Sequence, residues 1–425
     1  MKEKKSIFPM LKWAKDLFPL CRSITGSGIQ KSLRYFKKLN PEFKILKFKT
    51  GHKVFDWVIP KEWNIKDAYI EHESGKRFSK FKESNLNVVG YSIPVDFVIS
   101  KKKLLKKIFT IKNQPDSIPY VTSYYDRNWG FCMSDKNKRK LPIGNYRVFI
   151  DSELKKGTLD LSHAIIKGKS KKEIFFSSYL CHPSMANNEL SGPVVLNKLL
   201  QFVKKEFKKT NYTYRFVLLP ETIGSISYLS KYKNFLKKNV ICGYNLTCLG
   251  DKGNFSFIES RNGKTLADSA IESSLRDYKK YKKYSYLHRA SDERQYCSPG
   301  IDLPLCSFSR SLNYKEYHTD KDNLKIVSQK NLEESLEVLK NIIIAIELGL
   351  FPKTRIFCEP NMGKRGLYPL ISKKNTHTKD LELRMNIISY SDGKKNIFDI
   401  ANLLKQPLSK VIKEYKNLKN NKIII

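Results

Sequence analysis

The chain has 425 residues, 40% of them apolar, with 80 Lys and Arg against 41 Asp and Glu and a formal charge of +39. That length exceeds one ordinary domain and suggests two or three. The composition supports a sizeable core and excludes a wholly disordered or collagen-like chain. A charge of this size points either to nucleic acid or anionic lipid, or to a plain compositional bias. Only 15 of the 80 cations are Arg, and Ile, Asn and Tyr are abundant too. Phosphate-reading surfaces lean on the planar fork of Arg, so the bias is the better account and nucleic acid is not the expected partner.

The N-terminal stretch is broken by Lys12, Lys15 and Asp16, which argues against a signal peptide. Ile342 to Phe351, the longest apolar run, falls well short of the roughly 20 residues that span a bilayer. The eight Cys form no Cys-x-x-Cys pair. Reduced thiols, a cytoplasmic location and no membrane partner are therefore expected.

Residues 6 to 39 read as helix, turn and helix, with Ser23 to Gly28 as the turn. Residues 43 to 150 hold short β-type runs split by Gly, Pro and Asn, the pattern of a small β-rich domain. From about 155, strands alternate with helices. Glu173 to Leu180, Tyr212 to Leu219, Asn239 to Cys248 and Asp302 to Ser307 read as strands. Ser191 to Phe207 and Leu332 to Leu348 read as helices. This alternation predicts an α/β sandwich around a mostly parallel sheet. Beyond Pro352, helices are expected over Asp380 to Ser389, Ile397 to Leu404 and Ser409 to Leu418, then a terminal strand over Lys422 to Ile425. That is the outline of a winged helix-turn-helix. The expected domains are thus 1–42 with 151–352, an insertion at 43–150, and 353–425.

In open α/β sheets, ligands gather beyond the carboxyl ends of the strands. His182, Glu221 and Asp251 occupy such places, and His318 lies in the loop after the last strand. The other five His, at 52, 72, 163, 288 and 377, have no obvious partner and read as surface residues. Two His and one oxygen ligand around zinc leave a position for water and lower its pKa toward ~7. A Glu near the metal takes the proton, and Glu221 is placed for that. Spacing alone leaves a structural His182 and a buried structural Glu221 as alternatives.

Several segments, in order, carry a family resemblance. They include Leu20-Cys21-Arg22-Ser23-Ile24-Thr25-Gly26, Cys181-His182-Pro183-Ser184, Pro220-Glu221-Thr222-Ile223-Gly224-Ser225, Ser291-Asp292-Glu293-Arg294-Gln295-Tyr296 and Glu316-Tyr317-His318-Thr319. On these the chain resembles the bacterial aminopeptidase-like domain family, which groups with zinc aminopeptidases and carboxypeptidases. The resemblance implies a three-layer α/β/α zinc-peptidase core of the phosphorylase/hydrolase-like type. An inserted β-rich domain and a C-terminal winged helix complete it.

The resemblance also implies roles. His182 and His318 match the first and last metal-binding His, and Glu221 matches the water-activating Glu. Thr222 and Thr247 stand where two-metal relatives carry carboxylates, which implies one zinc ion. Asn188 stands where the family has an Asp ligand. It can offer a neutral carbonyl oxygen, and the adjacent Glu189 is the alternative ligand. Asp292, Glu293 and Tyr317 are expected near the substrate, although Ser291 or Asp292 could equally be a helix N-cap.

The expected activity is hydrolysis of peptide or small amide bonds, an amide on a sugar precursor included, since relatives accompany polysaccharide gene sets. A homo-oligomer is possible. Two other readings stand beside it: an impaired relative with a binding role because of Asn188, and nucleic-acid binding through the winged helix. For the latter, Lys410, Lys413 and Lys416 would face phosphate. The absence of Arg there favours a packing or dimerisation module.

Overall fold

A computed structural model describes residues 9–368 and 379–425. Eight strands form one large sheet: β1 (Lys44–Lys49), β2 (Thr158–Ile166), β3 (Glu173–Tyr179), β4 (Thr213–Leu219), β5 (Val240–Leu246), β6 (Phe255–Ile258), β7 (Tyr281–Tyr284) and β8 (Leu305–Ser309). Their spatial order is β1-β2-β4-β3-β5-β8-β6-β7. The central strands β4, β3, β5 and β8 run parallel. On one flank β1 and β2 are antiparallel, and on the other β6 meets β8 antiparallel. The sheet is therefore mixed, with a parallel centre, where a mostly parallel sheet was expected.

The central strands read as continuous apolar runs because both faces are covered. Alternation sorts their side chains between two cores. Ile174, Phe176, Tyr214, Phe216 and Leu218 pack on one side with helices Ser191–Glu206 and Gln329–Gly349. Phe175, Tyr179, Val217 and Leu219 face the other, against helix Ile223–Asn239. That makes three layers.

Between β1 and β2 lies a second, four-stranded antiparallel sheet built on Glu62–His72 and Asn145–Lys155. It has a core of its own, including Ile70, Val148, Ile150 and Phe131. Lys44–Lys49 belongs to the large sheet, although it follows the residue-42 boundary expected from sequence.

At the C-terminus, helices Lys379–Tyr390, Ile397–Leu403 and Leu408–Asn420 pack together and onto the large domain. Ser269 Oγ donates to Asp399 at 2.6 Å, and Asn402 Nδ2 donates to the Ser269 carbonyl at 2.9 Å. Lys422 to Ile425 makes only a single bridge, Ile424 to Thr354, rather than a full strand. Among the described residues, no helix is long and apolar enough to cross a membrane.

Candidate active site

The carboxyl ends of β3, β4 and β5 converge with the loop after β8. After β3 the chain runs Leu180-Cys181-His182, and after β4 it runs Pro220-Glu221. Strand β3 lies between β4 and β5: the chain passes from β3 out to β4 and then back across to β5, with helices Ser191–Glu206 and Ile223–Asn239 on opposite faces, and a crevice opens at this switch point. The helix that starts at Ser191 must come very close to the strand ends. A Cβ on Gly192 would sit 2.4 Å from the Leu246 carbonyl oxygen and 2.4 Å from Ser178 Oγ, so this position needs glycine.

Several non-glycine residues around the crevice hold left-handed backbone angles: Ser184 at φ 48°, Thr222 at 62°, Cys248 at 51° and His318 at 55°. Such conformations cost about 1–3 kcal/mol each and gather where a site over-determines its geometry.

The structure brings His182, Glu221 and His318 together. The two imidazole rings are 5.2 Å apart, and His182 Nε2 is 3.9 Å from Glu221 Oε2. His182 Nδ1 donates to Glu189 Oε1, and Glu189 Oε2 accepts the Cys181 amide. Glu189 is fully buried. Its carboxylate is thus spent beneath His182, where it engages Nδ1 and leaves Nε2 directed at Glu221 and the crevice. Burial opposes protonation of His182, but Glu189 overrides it and raises the pKa well above the usual value. His318 behaves in the opposite way: burial and the charge on His182 lower its pKa to about 3, so it stays neutral.

Glu221 keeps 22% of its side chain exposed, against 6% for His182. Ser291 Oγ donates to Glu221 Oε1 at 2.6 Å. Burial raises the Glu221 pKa, while His182 and the Ser291 hydrogen bond pull against it.

Asn188 is buried beside them. Its amide nitrogen donates to Tyr179 OH at 2.8 Å, which leaves Oδ1 buried with no hydrogen-bond partner. His318 Nε2 is likewise buried without a partner, as are Asp292 Oδ2 and Asn245 Oδ1 deeper in the wall. Asp322 grips the loop from behind, accepting the Asn187 amide at 2.7 Å and the Asn188 amide at 2.9 Å. Thr247 is joined to Tyr179 OH, and Thr222 Oγ1 accepts from Arg294. Neither brings a carboxylate.

Asp292 and Glu293 are both fully buried. Asp292 Oδ1 accepts the Thr222 amide and Ser225 Oγ, at 2.8 and 2.7 Å. Burial and the neighbouring Glu221 charge raise its pKa. Glu293 accepts the Ala290 and Ser291 amides and Asn245 Nδ2. Neither carboxylate reaches the surface of the crevice. Tyr317 does: it is 43% exposed and stacks on His318 with centroids 3.8 Å apart. Asp251 holds Asn187, Ser311 and Gly253 in the wall.

Tyr120 is the residue that sequence reasoning missed. It comes from the inserted segment, its ring lies 4.7 Å from His182 and 5.5 Å from His318, and its amide donates to the His318 carbonyl at 2.9 Å. Nothing in a Tyr-rich run marks it, because the contact spans nearly 200 positions. His163, read as a surface residue, is buried in β2 and bonded to Tyr228 OH at 2.9 Å. His72 is buried too. His377 lies outside the described residues.

A three-layer fold with this crevice at the carboxyl ends of its strands defines an aminopeptidase-like α/β protein. The chain belongs to the family described as a domain of unknown function (DUF4910), which matches residues 11–349, and residues 351–425 match a winged helix-turn-helix. A Clostridium acetobutylicum protein is 40% identical over 91% of this chain and 89% of its own, and is described, by name only, as a polysaccharide biosynthesis protein with an aminopeptidase-like domain. A crystal structure from C. acetobutylicum, assigned by name only as a peptidase, is 36% identical with a TM-score of 0.90. It covers 98% of this chain and 96% of that one. A zinc aminopeptidase from Bacillus subtilis shares the fold at TM-score 0.59 and 12% identity, over 80% of this chain and 94% of its own.

Proposed function

We propose that the chain is a cytoplasmic, single-zinc hydrolase of peptide or small amide bonds, with Glu221 as the general base. His182, Asn188 and His318 would hold the metal. The observation that carries this reading is the pair of buried, unpartnered acceptors, Asn188 Oδ1 and His318 Nε2, beside a His182 whose Nδ1 engages Glu189 and whose Nε2 is directed at the crevice. Buried polar atoms without partners are costly, and a cation held by these two atoms would also take His182 Nε2, displacing its proton. A zinc ion there supplies Lewis-acid polarisation of the scissile carbonyl and acidifies water.

The chain's own residues do the rest. Glu221, held through Ser291, takes a proton from water on Oε2 and returns it to the leaving nitrogen. Tyr120 and Tyr317 wall the crevice and limit solvent. Asp292 and Glu293 bear on the reaction only through the loop that presents Ser291.

The test is the zinc content of chelator-free protein, with hydrolysis of acyl and aminoacyl amides by wild type and Glu221→Gln. One zinc per chain and a kcat about 10²- to 10⁴-fold lower in the variant are expected. Metal-free protein, or a fully active Glu221→Gln, refutes the reading.

The neutral Asn188 favours one second reading, a binding protein that has lost catalysis. Under it, wild-type protein carries almost no zinc and hydrolyses nothing, and Asn188→Asp restores occupancy.

A further inference from the structure

The loop that presents Ser291 also presents Arg294. Asp292 and Glu293 turn inward, but Arg294 is exposed on the rim of the crevice. Its Nε donates to the Ser291 carbonyl and its Nη2 to Thr222 Oγ1, each at 3.0 Å. Those two residues frame Glu221: Ser291 donates to its carboxylate, and Thr222 follows it in the chain. The guanidinium is fixed beside Glu221 and forms no ion pair among the described residues. Two of its five N–H groups are used, and Nη1 has no partner among the described residues. The Nη1–Nη2 edge is therefore pre-set for two parallel hydrogen bonds to a carboxylate.

An enzyme that binds a free α-amine needs an anionic anchor near the reacting bond. The two carboxylates of this loop cannot serve, because both are fully buried behind the crevice wall, where Asp292 Oδ1 holds the Thr222 amide and Ser225, and Glu293 holds the Ala290 and Ser291 amides and Asn245. What the loop offers is a cation, on a chain whose +39 charge draws anions toward it.

We propose that Arg294 binds a carboxylate of the substrate, so that the preferred substrate is an N-acyl amino acid or a peptide's C-terminal residue. This rests on the hydrolase reading above. Water adds to the acyl carbon, the C–N bond breaks, and a proton goes to the leaving nitrogen. No other reactant is needed. Arg294 is a specificity residue, and Glu221 remains the group that moves the proton.

The experiment uses two matched probes, N-benzoylglycine and its amide. Calorimetry on Glu221→Gln protein measures binding without turnover. The acid is expected to bind about tenfold or more tightly than the amide. Arg294→Ala should remove that difference, and Arg294→Lys should restore part of it. A free acid that does not bind, equal binding of acid and amide, or a difference that survives Arg294→Ala overturns the proposal. Acid preference lodged at the metal alone would survive Arg294→Ala and is excluded in this way. Wild-type turnover separates the two readings. Hydrolysis that favours aminoacyl amides keeps the hydrolase and overturns the role of Arg294. Arg294-dependent binding with no turnover of any amide overturns the hydrolase and leaves the anion site.

Discussion

Glu189 lies directly beneath His182: its carboxylate accepts the Nδ1 proton of the imidazole and the Cys181 amide, and it is wholly buried. The residue that sequence offered as an alternative metal ligand is hydrogen-bonded to His182, and under the proposed function it supports that ligand. Replacing a support of this kind typically weakens a metal site about 10- to 100-fold. Glu189→Gln should lower zinc affinity by that amount while circular dichroism stays unchanged, as read by competition with a chromophoric chelator.

Under the proposed function, Asn188 would contribute an oxygen but no charge. Its Oδ1 is buried without a partner, and a carboxylate there would add a negative charge at the proposed ligand position. Asn188→Asp should raise zinc affinity by about tenfold or more, worth ~1.4 kcal/mol. Parallel titrations of wild type and variant check it, and an unchanged affinity would remove Asn188 from the ligand set.

Gly192 has room for hydrogen alone, with Leu246 O and Ser178 Oγ each 2.4 Å from a Cβ. Gly192→Ala should destabilise the fold by about 1–3 kcal/mol. The urea midpoint should fall while helix content is kept. Weaker zinc binding should follow, because the same helix start carries the Asn188 loop.

His163 adds a pH dependence that is separate from the crevice. Burial, then Arg215, Lys44 and Lys231, lower its pKa from 6.5 to about 4. The unfolded chain therefore binds the extra proton first as pH falls. The stability from neutral His163 is complete above pH 6.5 and is lost as pH falls toward about 4. Urea midpoints across this window should fall for wild type and fall less steeply for His163→Gln.

Phe398, wholly buried in the C-terminal helices, packs into the same core as helix Gln329–Gly349. Phe398→Ala should cost about 3–5 kcal/mol. If the C-terminal unit is docked as part of one cooperative body, the whole chain should show one shifted unfolding transition rather than a separate early one.

Apolar periodicity was enough to place β3, β4, β5 and helices Ser191–Glu206 and Gln329–Gly349 within a few residues, because strands buried on both faces must be apolar throughout. It missed the short β1, β6, β7 and helix Leu266–Leu275, and also β2 and the 17-residue helix Ile223–Asn239, where Ser, Asp, Tyr and Lys interrupt the apolar pattern. His182 and Glu221 were legible because each follows a recognisable strand end, and His318 because it lies in the loop after the last strand; their roles came from the family resemblance. What those residues do with their neighbours was not legible. That Glu189 supports His182, that Asp292 and Glu293 are spent inside, that Arg294 stands on the rim and that Tyr120 arrives from the inserted segment depends on side-chain direction and on contacts between distant positions. Local pattern determines which segments become strands and helices. Only close packing across the folded chain decides which polar atoms are satisfied, and so which remain free for a ligand.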